Sequence, residues 1–343
     1  MVRRTAVAAA LLTAFAMAAA GCGDSGDSNA ETGDSPTSGA KADKKFTIAF
    51  STYAGVIPFY RATNDGFKDA ADKLGWDYRY TDSNFDPAKQ VSDITDLLTQ
   101  GADLIAVSPG DEEALVGGYR EAKNSDVSIW SYINDISADQ QDLRQTWFHV
   151  DWSDVADKRG RFMLEKMGGS GKVIAIRGPS AVLIVRQYQD GFERAMKTAP
   201  GAKLAFAQNA QAFTPEEGLR LTQDALTAHP DVKAIWVDND DMALGVVQAV
   251  QEAHLGKNDV VIVSGDGTNA AVKLVEEGWL DYTVIAPGYE WASDVVKAAQ
   301  KFLVNGEDPP ATVDFKLIDV TPDNAAELLA TCPTHPKEVY CRT

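Results

Sequence analysis

From Lys45 onward, short apolar runs alternate with longer segments whose apolar positions recur every three or four residues. The runs predict strands over Phe46–Ser51, Trp76–Thr81, Leu104–Ser108, Ser128–Ile133, Thr146–Val150, Val173–Arg177, Lys203–Gln208, Lys233–Val237 and Val260–Val263. The helical period predicts helices over Pro58–Leu74, Pro87–Leu98, Glu112–Lys123, Val182–Thr198 and Pro215–Ala228, with another starting at Asp240-Asp241. Strand and helix in alternation imply an α/β fold of parallel sheets covered by helices on both faces. About 300 residues is long for one such sheet, so two similar halves are expected.

Two strand ends carry polar side chains abruptly. Ile235-Trp236-Val237 runs into Asp238-Asn239-Asp240-Asp241, and Val260–Val263 runs into Ser264-Gly265-Asp266-Gly267-Thr268. In open α/β sheets, ligands bind outside the carboxyl ends of the strands, so Asn239 and Asp266 are candidates to meet ligand hydroxyls. Asn offers donors and an acceptor, and an ionised Asp offers acceptors. The competing reading makes both residues ordinary helix N-caps. On balance Asn239 is assigned to a ligand, while Asp240 and Asp241 serve the helix start.

The ends of the chain add a compartment. Arg3-Arg4 followed by apolar Ala6–Ala20 reads as an export leader rather than a spanning helix. The small residues Ala19-Ala20-Gly21 before Cys22 resemble a bacterial lipoprotein signal, with Cys22 lipidated and Ala19 standing where the pattern prefers Leu. Residues 22–44 are Gly, Ser, Asp, Thr and Asn with almost no large apolar side chain, a composition suited to a flexible tether. Of three cysteines, Cys332 and Cys341 remain, and outside the cytosol their simplest state is a disulfide; two free thiols is the alternative. The net charge of −18 argues against nucleic acid and against an anionic membrane surface as partners. The only expected membrane contact is the lipid.

Catalytic and cofactor motifs fail one by one. Gly265-Asp266-Gly267-Thr268-Asn269-Ala270 fits a dinucleotide fingerprint, but it sits late in the chain and in an exported protein, so an NAD-dependent oxidoreductase is the weakest alternative. Gly168–Val173 imitates a phosphate loop with Lys166 in place of its first Gly and Val173 in place of Ser or Thr. Asp82, Asn84 and Asp86 open like a calcium loop, but Pro87 occupies the required Gly position, and the segment reads better as a helix cap. None of the four histidines lies in metal-protease spacing, and no serine sits in a nucleophile elbow. No enzyme, no cofactor and no metal site is expected.

Pro58-Phe59-Tyr60, Ala88-Lys89-Gln90, Ser108-Pro109-Gly110-Asp111, Leu226–Val232, Asn239–Gly245 and Gly265-Asp266-Gly267-Thr268 together resemble the type I periplasmic sugar-binding proteins, and most closely their ribose-binding branch. The resemblance implies two Rossmann-like lobes joined by a three-crossover hinge, with ligand clamped between them. The lobes would comprise residues 45–150 plus 288–317, and residues 151–287 plus 318–343. It implies an aromatic wall from Phe59 and Tyr60, a second aromatic at Phe213, hydroxyl-binding groups at Asn239 and Asp266, and a ligand arginine at Arg186, with Tyr188 as the alternative at that place. Ser108 and Asn134 fall on further ligand positions but depart from the branch's residues there, which are Asn and Arg. Ile57, Ile133 and Ala286 replace an Asn, an Asp and a Gln. About half of the polar contacts therefore differ, so a ligand other than ribose is expected, and Tyr53, Trp152, Tyr289 and Trp291 are either additional ligand aromatics or packing residues.

The implied protein is a monomeric extracytoplasmic lipoprotein that hands a sugar or polyol to the permease subunits of an ABC importer by hinge closure. A binding-only sensor that presents its ligand to a chemotaxis or two-component receptor is the alternative with the same fold.

Overall fold

The structure is a computed structural model that describes residues 44–180 and 182–342. The expected leader, the lipidated Cys22 and the tether up to residue 43 lie outside the described residues.

The first sheet contains β1 (Thr47–Thr52), β2 (Asp77–Asp82), β3 (Leu104–Ser108), β4 (Ser128–Tyr132), β5 (Thr146–His149) and, from much later in the chain, β11 (Thr312–Asp314). Its order is β11-β5-β4-β3-β1-β2, with every pairing parallel. The helices α1 (Pro58–Lys73), α2 (Pro87–Thr99), α3 (Val116–Asn124) and α9 (Gly288–Gln300) accompany it. The second sheet, of order β7-β6-β8-β9, contains β6 (Ser170–Arg177), β7 (Gly201–Asn209), β8 (Val232–Val237) and β9 (Val261–Val263). It carries α4 (Trp152–Lys166), α5 (Leu183–Met196), α6 (Pro215–Ala228), α7 (Asp240–Glu252), α8 (Asn269–Glu276) and the short α10 (Ala325–Ala330). The antiparallel pair β10 (Thr283–Ile285) and β12 (Ile318–Val320) closes its far side.

Strands β1, β3 and β8 are buried along almost their whole length, which is why they read as continuous apolar runs. The helix starts follow local chemistry. Asp86 caps α2 through the Ala88 and Lys89 amides with Pro87 in the first turn, and Thr214 caps α6 ahead of Pro215. The third predicted helix needs correction, because α3 begins at Val116 rather than Glu112. Asp111 instead accepts from the Glu113 and Ala114 amides and holds a separate turn. Helices α4 and α8 and the later elements β10, α9, β11, β12 and α10 are not predicted by the sequence pattern.

Residues 44–150 build the first sheet and residues 151–287 the second, after which the chain returns through α9 and β11 before β12 rejoins the second half. Trp152, Val155 and Leu317 pack against the cores of both halves and form an apolar hinge. Trp291 and Phe315 stack nearby, with ring centroids 4.4 Å apart, and Trp291 Nε1 donates to the Lys316 carbonyl. Trp291 is therefore a packing residue. Tyr289 is another, since its hydroxyl donates to Asp69 of α1.

The last residues form a further link. Cys332 and Cys341 are joined, with Cα atoms 5.1 Å apart, and Tyr340 lies in the second core with its carbonyl accepting from Asn269. From that base Arg342 reaches Asp65 at 2.8 Å, and Lys337 reaches Asp69, both on α1. Glu338, buried, accepts from the Glu290 amide in the first turn of α9, and its burial pushes the carboxyl up to about 7.

Candidate functional site

Both sheets reverse their strand order at the same place, between β1 and β3 in the first and between β6 and β8 in the second. Crevices at such reversals, at the carboxyl ends of the strands, are where open α/β sheets bind ligands. Most of the residues singled out in the sequence follow the carboxyl ends of these strands and of their neighbours β4 and β9.

In the first half, Pro58 starts α1 directly after the β1 loop and brings Phe59 and Tyr60 to the strand ends. Phe59 is half-buried, with its ring 5.0 Å from Tyr60 and 6.3 Å from Tyr132. Tyr60 is buried, and its hydroxyl bonds Ser108 Oγ at 2.8 Å. Gln90 fastens the β3 loop, donating to the Ser108 carbonyl and accepting from the Gly110 amide. Asn134 donates to the Pro109 carbonyl at 3.0 Å. Ile133 before it has φ 62°, a strained value for a β-branched residue, held by its amide to Phe148 and by Trp147 Nε1 to its carbonyl. Asp135 after it pairs with Arg144 at 2.7 Å, with both side chains nearly buried. The polar atoms of this wall are largely spent on one another, so it presents rings and a fixed shape.

The sequence reading missed one ring here. Phe85, with φ 66° and 57% exposed, stands at the end of β2 and meets Tyr53 edge-on at 5.9 Å. A large apolar residue inside the polar turn Ser83-Asn84-Phe85-Asp86 was the available signal.

The second half is built of acids. Asp238, buried at the end of β8, accepts from Trp236 Nε1 at 2.7 Å and from the Gly178 amide at 2.8 Å. Asn239 caps α7, its Oδ1 accepting from the Met242 amide at 3.0 Å, so the capping role set against a ligand role is filled by the same residue. Asp240 is fully buried and accepts from Thr283 Oγ1, Ser264 Oγ and the Thr268 amide. Burial pushes its carboxyl up to about 6 despite those bonds. Phe213 crosses the mouth of β6, where a Cβ on Gly178 would come within 2.2 Å of its ring. Arg186 is exposed on α5 and has no ion-pair partner among the described residues, whereas Tyr188 is buried against Trp152.

Asp266 is the outlier. Its φ of 121° is far from the usual range of a non-glycine residue, and the backbone is held by its amide to the Val284 carbonyl and by a bridge to Ile285. Gly267 beside it, at φ 68°, has no room for a side chain against Ile285. Asp266 is accessible to solvent, yet the protein around it is dense enough to weaken the hydration of its carboxyl. That crowding, then Asp240 and Asp241, push its carboxyl well above the usual carboxylate range. Strain of this kind gathers at binding sites. Among the described residues, no group of three or more His, Cys, Asp or Glu is placed to hold a metal ion.

The periplasmic binding protein domain family matches residues 48–308 of the chain. The ribose import binding protein RbsB of Escherichia coli (strain K12) is 32% identical over 83% of this chain and 94% of its own length. The solved periplasmic ribose ABC transporter protein from Conexibacter woesei superposes with a TM-score of 0.77 at 24% identity, covering 86% of this chain and 98% of that one. An ABC transporter solute binding protein from Mycobacterium smegmatis, solved with bound glycerol, superposes with a TM-score of 0.70 at 26% identity over 83% of this chain and 97% of that one.

Proposed function

The chain belongs to the periplasmic binding protein domain family, and from that premise we propose that it binds a sugar or polyol outside the cytoplasm and delivers it to an ABC importer. The observation that carries the reading is the strained, solvent-accessible Asp266 at the end of the second sheet, in the same half as Asn239 and Phe213, with the rings of Phe59 and Tyr60 at the strand ends of the first half. Rings accept the apolar C–H faces of a sugar and exclude water. Ionised or polar acceptors then take its hydroxyls, and hydrogen bonds to charged groups in a dry cleft are the strong ones. Arg186 adds donors from α5, and Tyr60, Ser108 and Asn134 hold the first wall in shape. Closure about the Trp152, Val155 and Leu317 hinge follows from ligand contacts that exist only when both walls engage.

The chain acts as a monomer and catalyses no reaction. Lipidation of Cys22 anchors it at the outer face of the cytoplasmic membrane beside the permease, and the Cys332–Cys341 pair is a disulfide that clamps the C-terminus. Incorporation of labelled fatty acid that persists in Cys22→Ala would overturn the anchor. Two titratable thiols in the unreduced protein would overturn the disulfide.

The ligand is a polyhydroxy compound other than ribose, because Ile57, Ser108, Asn134 and Ala286 change the polar contacts of the relatives' first wall. A thermal-shift screen over pentoses, hexoses, inositols, disaccharides and nucleosides tests the reading. A true ligand at a hundred times its dissociation constant stabilises by about 2.7 kcal/mol. A flat screen, confirmed by calorimetry, rejects it.

A further inference from the structure

Arg159, on α4, is among the largest fully buried side chains of the protein, at 1% exposure. Its guanidinium carbon lies 3.6 Å from the ring centroid of Trp236 and 4.8 Å from that of Tyr188. Nη1 reaches the Asp238 carbonyl only at 3.4 Å, and Nε and Nη2 have no hydrogen-bond partner among the described residues. The same Nη1 occupies the space beneath Gly265, where an added Cβ would stand 2.6 Å from it. A side chain on Gly265 would press on the guanidinium tip, and the cation fills the room that the glycine leaves.

Burying an arginine with half its donors idle is costly. The flanking rings offset part of that cost through cation–π attraction, but they do not explain why the cation is there. The surroundings do. Asp238 ends β8, Asp240 and Asp241 start α7, Asp266 follows β9, Arg177 ends β6 and acts on Asp238, and the Tyr188 and Tyr282 hydroxyls face this point from α5 and β10, the latter bonded to Asp319 of β12. Four carboxyls crowd one end of the sheet, and Arg159 is the buried cation set among them.

We propose that Arg159 is a positioning residue for the ligand site, a fixed buried cation under the Gly265-Asp266 turn that opposes protonation of the carboxyls at the ends of β8 and β9 and so favours their hydrogen-bond-accepting form. The part Asp266 plays toward ligand rests on the sugar-binding reading, whereas the charge relation to Arg159 does not. Without the cation, burial and the acidic neighbours would raise the Asp266 carboxyl further and extend the pH range over which it is a donor rather than an acceptor.

The test needs no ligand. The Asp266 side-chain carboxyl is followed by carbon NMR against pH, with Asp266→Asn assigning the signal. In Arg159→Met and Arg159→Gln the Asp266 midpoint rises by at least one unit, a tenfold gain in proton affinity. In Arg159→Lys, which loses the flat stack but keeps the charge, it stays within about a third of a unit of wild type. An unchanged midpoint in folded Arg159→Gln, or an equal shift in the Lys and Gln variants, overturns the proposal. Should Arg159→Gln be unfolded at pH 7, recovery of its fold at pH 5, where the acids can be neutral, supports the proposal, and failure at both overturns it. Affinity for whichever compound scores in the thermal-shift screen then falls in the Gln variant and not in the Lys variant. If no compound scores, the functional reading fails while the NMR result still stands.

Discussion

The two walls of the proposed site solve the same topological problem with opposite chemistry. Each sits where its sheet reverses strand order, and each contains strained backbone, at Phe85 and Ile133 in the first and at Asp266 in the second. The first wall satisfies its polar groups internally, Tyr60 with Ser108 and Asn134 with Pro109, and presents Phe59, Tyr53 and Phe85. The second gathers Asp238, Asp240, Asp241 and Asp266 at one end of its sheet, with the buried Arg159 acting on Asp238 and Asp266. The first wall is a neutral shape, and the second is a tuned field. Changes in solvent conditions should therefore reach binding mainly through the second.

The largest effect tests whether the acids are structural as well as functional. Asp240→Ala removes the acceptor shared by the buried Thr283 and Ser264 hydroxyls and the half-buried Thr268 amide, and is expected to destabilise by more than about 3 kcal/mol. Urea unfolding at pH 7 reads this directly. A loss below 1 kcal/mol would mean that the network is dispensable.

Next in size is the pH dependence of stability. Asp240 at about 6 and Glu338 at about 7 both titrate above their unfolded values near 4, so the folded state holds protons that the unfolded state has released. Their stabilisation is complete near pH 4 and lost as pH rises through 6 and 7. The exposed carboxylates with lowered values, such as Asp77 and Asp231, act in the opposite sense and lose their contribution only below about pH 4. Stability should therefore peak near pH 5 and fall by on the order of 2 kcal/mol by pH 8. Glu338→Gln should remove the higher half of that decline. A melting temperature rising steadily from pH 5 to 8 would contradict the assignment. The tyrosines of the first wall add nothing in this range, because burial pushes Tyr60 and Tyr132 far into alkali.

Asp266→Ala comes third, with a loss of at least tenfold in ligand affinity, because a hydrogen bond to a charged acceptor contributes about 1.5–3 kcal/mol. Calorimetry with the best compound from the screen measures it. Unchanged affinity would place the site elsewhere.

Much of this contrast was legible in the chain. The alternation of apolar runs and helical periods predicted the two α/β halves, and the abrupt strand ends at Asp238–Asp241 and Ser264–Thr268 marked the second wall. What escaped depends on burial that a linear pattern does not encode. Arg159 lies in the amphipathic Trp152–Lys166 segment among Lys158, Arg161 and Lys166, where one cation facing inward looks like its solvated neighbours. The bond between Tyr60 and Ser108 joins residues 48 positions apart and becomes visible only once β1 and β3 pair. Trp291 and Tyr289, equally aromatic in sequence, proved to be hinge and helix packing because their partners, Phe315 and Asp69, come from distant segments.

The smallest predicted effect separates the two walls most cleanly. Tyr60→Phe deletes a hydroxyl and leaves Ser108 Oγ buried without its partner, at a cost of about 1–2 kcal/mol in stability. Adding Ser108→Ala removes the orphaned group and should return most of that loss, since deleting both members of a buried pair costs less than deleting one. If the first wall acts through shape, ligand affinity changes by less than threefold in the single and double variants alike. If the two hydroxyls instead turn toward ligand on closure, each single variant loses tenfold or more and the double variant recovers nothing. The stability cycle and the affinity cycle then part company, and the first wall would have to be regarded as a polar surface like the second.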